Sequence, residues 1–485
     1  MTHFFILLIL LLTNYAAVST ATIRIIQDNY ANRTIPLLIQ NEIFNENIII
    51  QYSHSLYFHN TIFKGSVIIQ HSQHINVTSS FFYQGITIVS SSHILVYQNN
   101  ITNNNGTCVY IPSCGNSTNF QYCNITIENN YIHDCHIPFN GTSPYAPVAQ
   151  GILLGGNEGS DQVTVGVMVK NNLVENIDQM GIRINNDNYG ASILNTITLN
   201  RIINWGMLPA SEGGDNRDCG CIYLYGHWFG PGNQILYNDC LVTNTSWGQN
   251  GVYLDDASTG QIIIGNYFRN QTYGSPIKLN GGSFNYIDSN IVINGINLGF
   301  GNCRGLRGTE AMWYTCVNEG RWLEILENNN YLTGLWGDHF PWYQGWCTNT
   351  TAGPNNYLCA PPSAPSGYTC EVLSRGNEIQ NMVGIFMTYN NSFVMQNTES
   401  NNTYSNGTGI CPQYVVTENF NSIDWNTVNK FYIHDQFVNS SYGDYTLRSD
   451  AQIYIDMPNF VRIPYMAIGP LVPPPEMILR MENGE

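Results

Sequence analysis

The sequence predicts an all-β protein made of short stacked coils, a parallel β-helix, and three observations predict it. The 485 residues are 43% hydrophobic but only 11% charged, and they include 44 glycines. A 19-residue repeat starts at Leu37 and runs to about residue 100, and a motif with an apolar residue followed three positions later by Asn recurs through the middle of the chain. Neither pattern has the helical period, and few Ala, Glu and Lys weigh against helices. A chain of this length forms several compact domains or one elongated repeat structure, and the repeats favour the second.

The 19-residue repeat consists of two short runs of alternating apolar residues. Its units start at Leu37, Leu56, Ile75 and Ile94. A unit this small cannot bury its apolar face alone and must stack on copies of itself. The apolar positions that recur in register are Ile43, Ile62 and Phe81, then Phe44, Phe63, Phe82 and Ile101, and then Ile48, Val67 and Ile86.

The middle of the chain carries the second form of the repeat, in which Asn follows an apolar residue. These motifs end at Asn130, Asn172, Asn200, Asn238, Asn266, Asn290 and Asn329. Asn at one turn position of successive coils predicts a ladder, because its amide can bond backbone and the Asn of the next coil, and it tolerates a left-handed φ. Larger gaps predict inserted loops at Cys108 to Ala149, Leu208 to Arg217 and Trp336 to Cys370. About a dozen coils at ~4.8 Å each would make a rod roughly 55 to 60 Å long.

The first 21 residues are typical of a signal peptide. Phe4 to Leu12 is an apolar run, and Ser19-Thr20-Ala21 offers a cleavage site. The run is far short of the roughly 20 apolar residues that span a bilayer, so we expect no membrane span and a secreted, extracellular protein. Asn-x-Ser/Thr motifs agree with a eukaryotic secretory route. They occur at Asn32, Asn76, Asn100, Asn105, Asn116, Asn124, Asn140, Asn244, Asn270, Asn349, Asn390, Asn401, Asn406 and Asn439.

The cysteine count predicts how the cysteines pair, and the net charge limits the classes of molecule that the protein binds. All 13 Cys follow the signal peptide, and the odd number leaves one unpaired or paired between chains. We predict disulfide-stapled loops, and the alternative of a metal at Cys219-x-Cys221 lacks a matching second pair. The net charge of −17 argues against nucleic acid or an anionic membrane surface as the main partner. We expect His74 and His93, one repeat apart, to form part of a surface ladder.

Four strands in the middle of the chain place polar and aromatic side chains on one surface. They cover Gly181–Asn185, Gly220–Tyr225, Gly251–Asp256 and Ser275–Asn280. Their apolar positions point into the coil, and the two-residue period of a strand then turns the residues between them outward. The outward residues are Arg183, Tyr223, Tyr253 and Lys278 in one column and Asn185, Tyr225, Asp255 and Asn280 in the next.

This surface suits carbohydrate, because aromatic rings pack on sugar faces while amides and carboxylates bond the hydroxyls. Asp255 and Asp256 are adjacent in a chain poor in charge, and Asp215 and Asp218 lie one coil earlier. Carboxylates on neighbouring coils would be about 5 Å apart in height and on alternate coils about 10 Å. These separations bracket the retaining and inverting geometries of glycosidases. The same acids could instead hold Ca²⁺, with Arg183 or Lys278 as a base, and the sequence leaves both open.

The chain resembles the right-handed parallel β-helix proteins of the pectate-lyase-like superfamily, in particular secreted β-helix glycoside hydrolases. The resemblance is carried by Asp218 to Tyr223, Gly230 to Asn238, Gly251 to Asp256 and Gly265 to Phe268. It implies that Asp218, Asp255 and Asp256 line the active cleft. Gly443 to Leu447 and Pro458 to Phe460 are similar to the closing segment of these proteins. Related sequences often have His-Gly-Gly where this chain has Asn280-Gly281-Gly282, which removes an ionisable group.

We therefore expect a signal peptide at 1–21, a β-helix with inserted disulfide-rich loops at 22–435 and a closing segment at 436–485, in a monomer. The expected function is a polysaccharide- or glycan-acting glycosidase without a cofactor. Two alternatives stay open: a Ca²⁺-dependent polysaccharide lyase, and a glycan-binding or cell-surface protein without catalysis, which the Asn280 departure favours. The candidate catalytic residues are Asp218, Asp255 and Asp256, and the candidate substrate contacts are Arg183, Asn185, Tyr223, Tyr225, Tyr253, Lys278 and Asn280.

Overall fold

The computed structural model shows a right-handed parallel β-helix whose coils each give one strand to three parallel sheets, A, B and C. In most of the chain every third strand along the sequence lies in the same sheet. The fold class is therefore as predicted. The structure describes residues 22–27, 36–116, 121–137, 149–156, 163–185, 192–207, 219–225, 230–243, 249–255, 258–271, 274–279, 285–294, 300–301, 377–380, 382–385, 420–423, 430–432 and 436–471.

Sheets A, B and C contain 11, 12 and 12 described strands, so the described coils number about a dozen, as the repeats predict. Sheet A is formed by β1 (Ile23–Ile26), β4 (Asn47–Gln51), β7 (Val67–Gln70), β10 (Ile86–Val89), β13 (Val109–Ser113), β16 (Gln150–Leu154), β19 (Met180–Asn185), β22 (Cys219–Tyr225), β25 (Gln249–Leu254), β28 (Ile277–Leu279) and β31 (Phe300–Gly301). Sheet B is formed by β2 (Leu37–Gln40), β5 (His54–His59), β8 (Gln73–Thr78), β11 (Ser92–Tyr97), β14 (Ile125–Glu128), β17 (Met168–Lys170), β20 (Thr196–Thr198), β23 (Gln234–Leu236), β26 (Ile262–Ile264), β29 (Tyr286–Asp288), β32 (Asn377–Gln380) and β34 (Phe420–Ile423). Sheet C is formed by β3 (Ile43–Phe44), β6 (Ile62–Phe63), β9 (Phe81–Phe82), β12 (Asn100–Asn103), β15 (Tyr131–Cys135), β18 (Leu173–Ile177), β21 (Arg201–Trp205), β24 (Asp239–Leu241), β27 (Tyr267–Arg269), β30 (Ile291–Ile293), β33 (Val383–Ile385) and β35 (Lys430–Tyr432).

The N-terminal coils follow the 19-residue repeat in exact register. Leu37 pairs with Leu56, Leu56 with Ile75, and Ile75 with Ile94. Inside the coil the ring of Phe63 stacks on Phe44 at 5.4 Å and on Phe82 at 4.8 Å between centroids. Their side chains are buried, which supplies the apolar stacking that a lone unit lacks.

Polar side chains of these coils also stack from coil to coil. The Oγ atom of Ser72 accepts a hydrogen bond from the backbone N–H of Ser53 at 3.1 Å and donates to the Gln70 carbonyl at 2.9 Å. On the surface the ring of His74 lies 4.6 Å from that of His93 and 4.7 Å from that of His54. The prediction of a surface histidine ladder is confirmed.

The Asn ladder of the middle coils is confirmed from Asn130 to Asn290 and starts one coil earlier than predicted, at Asn99. The last predicted member, Asn329, lies outside the described residues. Each ladder Asn after Asn99 accepts hydrogen bonds at its Oδ1 from the backbone and amide N–H groups of the Asn before it, and the Asn99 Oδ1 accepts from the Ser80 backbone N–H. The chain of partners is Asn99, Asn130, Asn172, Asn200, Asn238, Asn266 and Asn290. In each of these coils the residue directly before the ladder Asn has a left-handed φ, and the Asn itself does not. Leu199 (φ 57°) and Tyr237 (φ 57°) are examples. The ladder therefore stabilises a conformation that costs an ordinary residue about 1–2 kcal/mol.

Disulfides join sheets as well as loops, which corrects part of the sequence interpretation. Cys108, directly before β13, bonds Cys135 in β15, and Cys221 in β22 bonds Cys240 in β24. Each of these bonds links sheet A to sheet C through the interior, and all four cysteines are buried. Since Cys221 is oxidised, the Cys219-x-Cys221 metal alternative fails. The third bond, Cys114–Cys123, staples the connection from sheet A to sheet B.

The stretch from Cys108 to Ala149, expected to be an inserted loop, contains the strands β13, β14 and β15 and is thus largely a coil of its own. The prediction failed there because the apolar strand positions are interrupted by Pro, Gly and Cys. The other two expected loops, at 208–217 and 336–370, lie outside the described residues.

The C-terminal residues 436–471 form a strap along the flank of the solenoid. The strap contains β36 (Phe437–Asn439), a 3₁₀ turn at Ser440–Tyr442, β37 (Asp444–Leu447), the short helix α1 (Gln452–Asp456) and a second 3₁₀ turn at Tyr465–Ala467. Its apolar side chains pack against buried residues of sheet C, among them Ile291 and Val383. The predicted boundary at residue 435 stays a prediction, because residues 433–435 lie outside the described part, as do residues 1–21.

Hydrogen bonds show that the strap runs back towards the N-terminal coils. The backbone N–H of Val461 donates to the Ser289 Oγ at 2.9 Å, that of Gly469 to the Leu199 carbonyl at 2.8 Å, and that of Leu471 to the Asn129 Oδ1 at 2.6 Å. The strap therefore lies beside the coils instead of over their end. No helix in the described ranges is long and apolar enough to cross a membrane.

A buried ion cluster anchors the strap. The carboxylate of Asp239, which is 0% exposed, accepts two bonds from Arg269 at 2.7 and 2.6 Å and one from the Nε of Arg201 at 3.1 Å. The hydroxyl of Tyr465 in the strap donates to the same carboxylate at 3.2 Å. Burial and the neighbouring Asp239 charge raise the pKa of Tyr465, so the phenol stays protonated and keeps this bond.

Candidate functional site

The candidate site lies on the outward face of sheet A, where four neighbouring strands align. The register pairs Arg183 with Tyr223, Tyr223 with Tyr253, and Tyr253 with Lys278. The apolar residues between them, such as Ile222, belong to the core. At about 4.8 Å per strand, the two cations lie about 14 Å apart along the axis with two tyrosines between them.

A second row of residues lies two positions further along the same strands. Asn185 pairs with Tyr225, and the backbone N–H of Asp255 donates to the Leu224 carbonyl at 2.8 Å, which places Asp255 beside Tyr225. The remaining candidates, Asp218, Asp256 and Asn280, lie outside the described residues.

Asp255 is held by Tyr223. The Tyr223 hydroxyl donates to the Oδ2 of Asp255 at 2.5 Å, and the two side chains belong to residues that are 4% and 3% exposed. Burial, followed by the Asp255 charge, raises the pKa of Tyr223 well above its ordinary value. Tyr223 is therefore a neutral hydrogen-bond donor at physiological pH, and it fixes one carboxylate oxygen in place.

The rings of the patch hold both cations. The guanidinium carbon of Arg183 lies 5.6 Å from the ring centroid of Tyr223 and 5.3 Å from that of Tyr225. The Nζ of Lys278 lies 3.9 Å from the ring centroid of Tyr253, and Tyr253 meets Tyr223 edge to face at 5.1 Å. Cation–π contacts of this kind orient long side chains that otherwise move freely.

The guanidinium of Arg183 is held by Asn185. Its Nη2 donates to the Oδ1 of Asn185 at 2.8 Å, and the Nδ2 of Asn185 donates in turn to the Gly156 carbonyl. Its Nε–H is buried and has no acceptor among the residues that the structure describes. A buried donor without an acceptor costs about 1–3 kcal/mol, so an oxygen atom of a ligand would bind there favourably.

Two further residues extend the first column and were missed from the sequence. Tyr110 pairs with Leu153, and Leu153 pairs with Arg183. Burial raises the pKa of Tyr110 and the nearby Arg183 charge opposes that rise. Alternation within β13 and β16 would have predicted both, but β13 was assigned to an inserted loop.

A second polar cluster lies where sheet C turns towards sheet A. The Nδ1 of His136 lies 2.6 Å from the Oδ1 of Asp178, whose other oxygen accepts the backbone N–H of Ile137 at 2.8 Å. This hydrogen bond raises the pKa of His136. The Nδ1 of His133 lies 2.7 Å from Asp134, and that bond lowers the pKa of Asp134. Within the described ranges, no group of three or more His, Cys, Asp or Glu side chains is arranged to hold a metal.

Comparison with known proteins adds little. No protein-family model matches the chain, and no curated protein matches it significantly. Among solved structures it is similar to a protein described as a glycoside hydrolase, at 10% identity and a TM-score of 0.23. The match covers 53% of this chain and 37% of that chain, so the chain spans well under half of its neighbour. Similarity at this level does not extend to activity.

Proposed function

We propose that the protein is a secreted glycan-acting enzyme, a glycoside hydrolase whose substrate lies across the outward face of sheet A. The observation that carries the proposal is the carboxylate of Asp255, fixed by Tyr223 in a patch of tyrosines and cations. Glycoside hydrolysis needs positioned carboxyl groups, and sugar rings pack on aromatic side chains. The disulfides support the secretory route, because such bonds persist in oxidising compartments.

In this proposal Asp255 is one of two carboxyl groups that act on the glycosidic bond. The neutral Tyr223 hydroxyl orients the Asp255 carboxylate through its Oδ2. Asp256 and Asp218 are the candidates for the second carboxyl group. A separation of about 5–5.5 Å between the two groups would give retention of configuration, and about 6.5–9.5 Å would give inversion.

The substrate contacts follow from exposure. Tyr225 is half-buried, so we assign it a contact with the sugar, whereas Tyr253 at 1% exposure acts through Lys278. The Nε–H of Arg183 donates to a substrate oxygen in place of the acceptor it lacks in the described structure. Asn185 then positions the guanidinium.

A product screen with a matched pair of variants tests the proposal. The mature protein is incubated with plant, algal, bacterial and host glycans, and released sugars are measured for the wild type, Asp255→Asn and Asp288→Asn. Asp288 is a suitable control, because it is 6% exposed and accepts a tyrosine hydroxyl, from Tyr286 at 2.9 Å, but lies on sheet B. We expect Asp255→Asn to lower the rate by about 10²- to 10⁴-fold and Asp288→Asn to leave it within a few-fold of wild type. Equal rates in both variants would contradict the assignment.

A glycan-binding protein without catalysis is the second candidate, and the low exposure of Asp255 favours it. A pure binding protein would release no sugar and would keep its affinity after Asp255→Asn. A Ca²⁺-dependent lyase would differ from both, since it would form an ultraviolet-absorbing unsaturated sugar and stop with a chelator. The same screen, run with and without Ca²⁺, separates the three.

A further inference from the structure

Seven of the Asn-x-Ser/Thr motifs have their Asn among the described residues, and the structure sorts them by exposure. Four of these asparagines are exposed: Asn105, Asn116, Asn124 and Asn439. Asn100 is 3% exposed, and its Oδ1 lies 3.2 Å from the Nε2 of His133. Asn76 and Asn270 are half-buried.

The positions of these motifs also differ between the sheets. Asn76 lies on β8 of sheet B and Asn100 on β12 of sheet C, and the others lie in turns or in the strap. The described strands of sheet A contain no motif, although Asn47, Asn185 and Asn250 lie on them. Asn185 and Asn250 are buried and Asn47 is half-buried, and none of the three has Ser or Thr two residues later.

We infer that Asn105, Asn116, Asn124 and Asn439 are N-glycosylation sites, that Asn100 is not, and that the glycans leave the outward face of sheet A open. In the transfer step, the Asn Nδ2 forms a bond to C1 of the reducing-end sugar of a lipid diphosphate-linked oligosaccharide. The bond from C1 to the diphosphate oxygen breaks, the lipid diphosphate leaves with the electron pair, and Nδ2 loses one proton to a base.

The geometry explains both halves of this assignment. Asn105 lies in the turn between β12 and β13, where an attached glycan extends into solvent. A glycan on the buried Asn100 would displace the packing around His133, so a folded chain cannot carry it. The site assignment rests on the secretory route included in the proposed function and not on glycan hydrolysis.

Peptide mass spectrometry tests the sites directly. The full chain is secreted from a eukaryotic host, purified as folded protein and treated with a peptide N-glycanase in heavy-oxygen water, which marks every formerly glycosylated Asn. We expect the mark at Asn105, Asn116, Asn124 and Asn439 and not at Asn100. A mark at Asn100 in folded protein, or no mark at the four exposed sites, would overturn the assignment.

A pair of engineered motifs tests whether the open face matters, and this part does rest on the proposed function. Thr87→Asn with Val89→Thr adds a motif on β10 of sheet A, and Leu95→Asn with Tyr97→Thr adds one on β11 of sheet B in the same coil. All four side chains are half-buried and outward. We expect the sheet A glycan to lower glycan binding at least several-fold and the sheet B glycan to leave it unchanged. Equal binding would overturn the open-face inference, while the marks on the natural sites would stand.

Discussion

The N-terminal coils and the middle coils share one architecture but treat their outward side chains differently. On sheet A near the N-terminus, the Nε2 of Gln70 donates to the Oε1 of Gln51 at 2.9 Å, so the polar groups satisfy one another from coil to coil. In the middle coils the same surface holds the buried Nε–H of Arg183, without a described acceptor, and the Asp255 carboxylate. A satisfied ladder stabilises a scaffold, whereas the buried Arg183 Nε–H, which has no acceptor among the described residues, is the reason we propose a ligand site on this surface.

The inward turns differ in the same two regions. In the N-terminal coils the Ser72 hydroxyl accepts one backbone N–H and donates one short hydrogen bond to a backbone carbonyl. In the middle coils an Asn such as Asn200 accepts two N–H groups at its Oδ1 and donates two hydrogen bonds from its Nδ2. The middle coils also contain the two disulfides that cross the interior. The Asn ladder therefore ties neighbouring coils together, while the disulfides join sheet A to sheet C within single coils.

The largest expected effect is on the Asn ladder. Asn200→Ala removes a side chain with four partners: Asn172 through its N–H and its Nδ2, the Val169 carbonyl, and the Asn238 Oδ1. The Asn238 Oδ1 keeps the Asn200 backbone N–H and the Asn172 Nδ2 keeps the Ile127 carbonyl, so the Asn172 N–H and the Val169 carbonyl are the groups that lose a partner. At about 1 kcal/mol or more for each of these two, the free energy of unfolding falls by at least about 2 kcal/mol. Urea unfolding measures it, with Asn45→Ala as control, because Asn45 is exposed and its backbone is not left-handed. If Asn200→Ala lowered the free energy of unfolding by less than about 1 kcal/mol, the Asn turns of the middle coils would not be stronger than the Ser turns of the N-terminal coils.

Tyr223→Phe has the next largest effect, and it acts on catalysis. The variant removes the hydroxyl that holds Asp255, and hydrogen bonds to charged groups contribute about 1.5–3 kcal/mol, which corresponds to roughly 10- to 100-fold in rate. Tyr286→Phe removes the equivalent bond to Asp288 on sheet B and leaves the rate unchanged. Sugar-release kinetics of the two variants are compared directly, and an equal response would place the chemistry elsewhere.

Ser72→Ala has a smaller effect and completes the ladder comparison. Its hydroxyl accepts a hydrogen bond from the Ser53 N–H and donates a short one to the Gln70 carbonyl. We therefore expect the free energy of unfolding to fall by about 1 kcal/mol. The same urea experiment measures it beside Asn200→Ala. A loss as large as that of Asn200→Ala would show that Ser and Asn turns contribute equally.

The smallest expected effects are on the pH dependence of stability. His136 in the middle coils and His74 in the N-terminal coils should change stability in opposite directions as the pH falls. The pKa of His136 is raised from 6.5, mainly by its hydrogen bond with Asp178, so its stabilisation is complete below pH 6.5 and is lost as pH rises through the folded value. The pKa of His74 is lowered from 6.5, first by burial and then by His93 and His54, so it destabilises the fold as pH falls below 6.5.

Thermal unfolding of two variants between about pH 5 and 8 checks these signs. His136→Asn should lower the Tm more at the acid end, and His74→Asn should raise the Tm at the acid end relative to the alkaline end. The shifts should be no more than about 2 °C for a chain of this size. Variants that shift in the same direction would contradict the assignment of the two pKa changes.

The coil stacking could be predicted from the sequence because one apolar residue type recurs at each inward position, as Phe44, Phe63 and Phe82 do. The alignment of Arg183, Tyr223, Tyr253 and Lys278 followed from the same alternation. The disulfide pairing could not be predicted, because spacing along the chain does not reveal which sheets face each other across the interior. The Asp239 cluster was also missed, since Tyr465 lies 226 residues away in sequence and its approach depends on where the strap lies.

The most direct test of the central claim, that glycans bind the outward face of sheet A, is hydroxyl-radical footprinting. It uses Asp255→Asn and a glycan identified in the screen. Tyr225 is half-buried in the patch, while Tyr83 and Tyr122, at 53% and 46% exposure, lie elsewhere and serve as internal controls. We predict that the glycan slows oxidation of Tyr225 and leaves the two controls unchanged. Unchanged oxidation of Tyr225 at saturating glycan, or protection of the controls instead, would contradict the account.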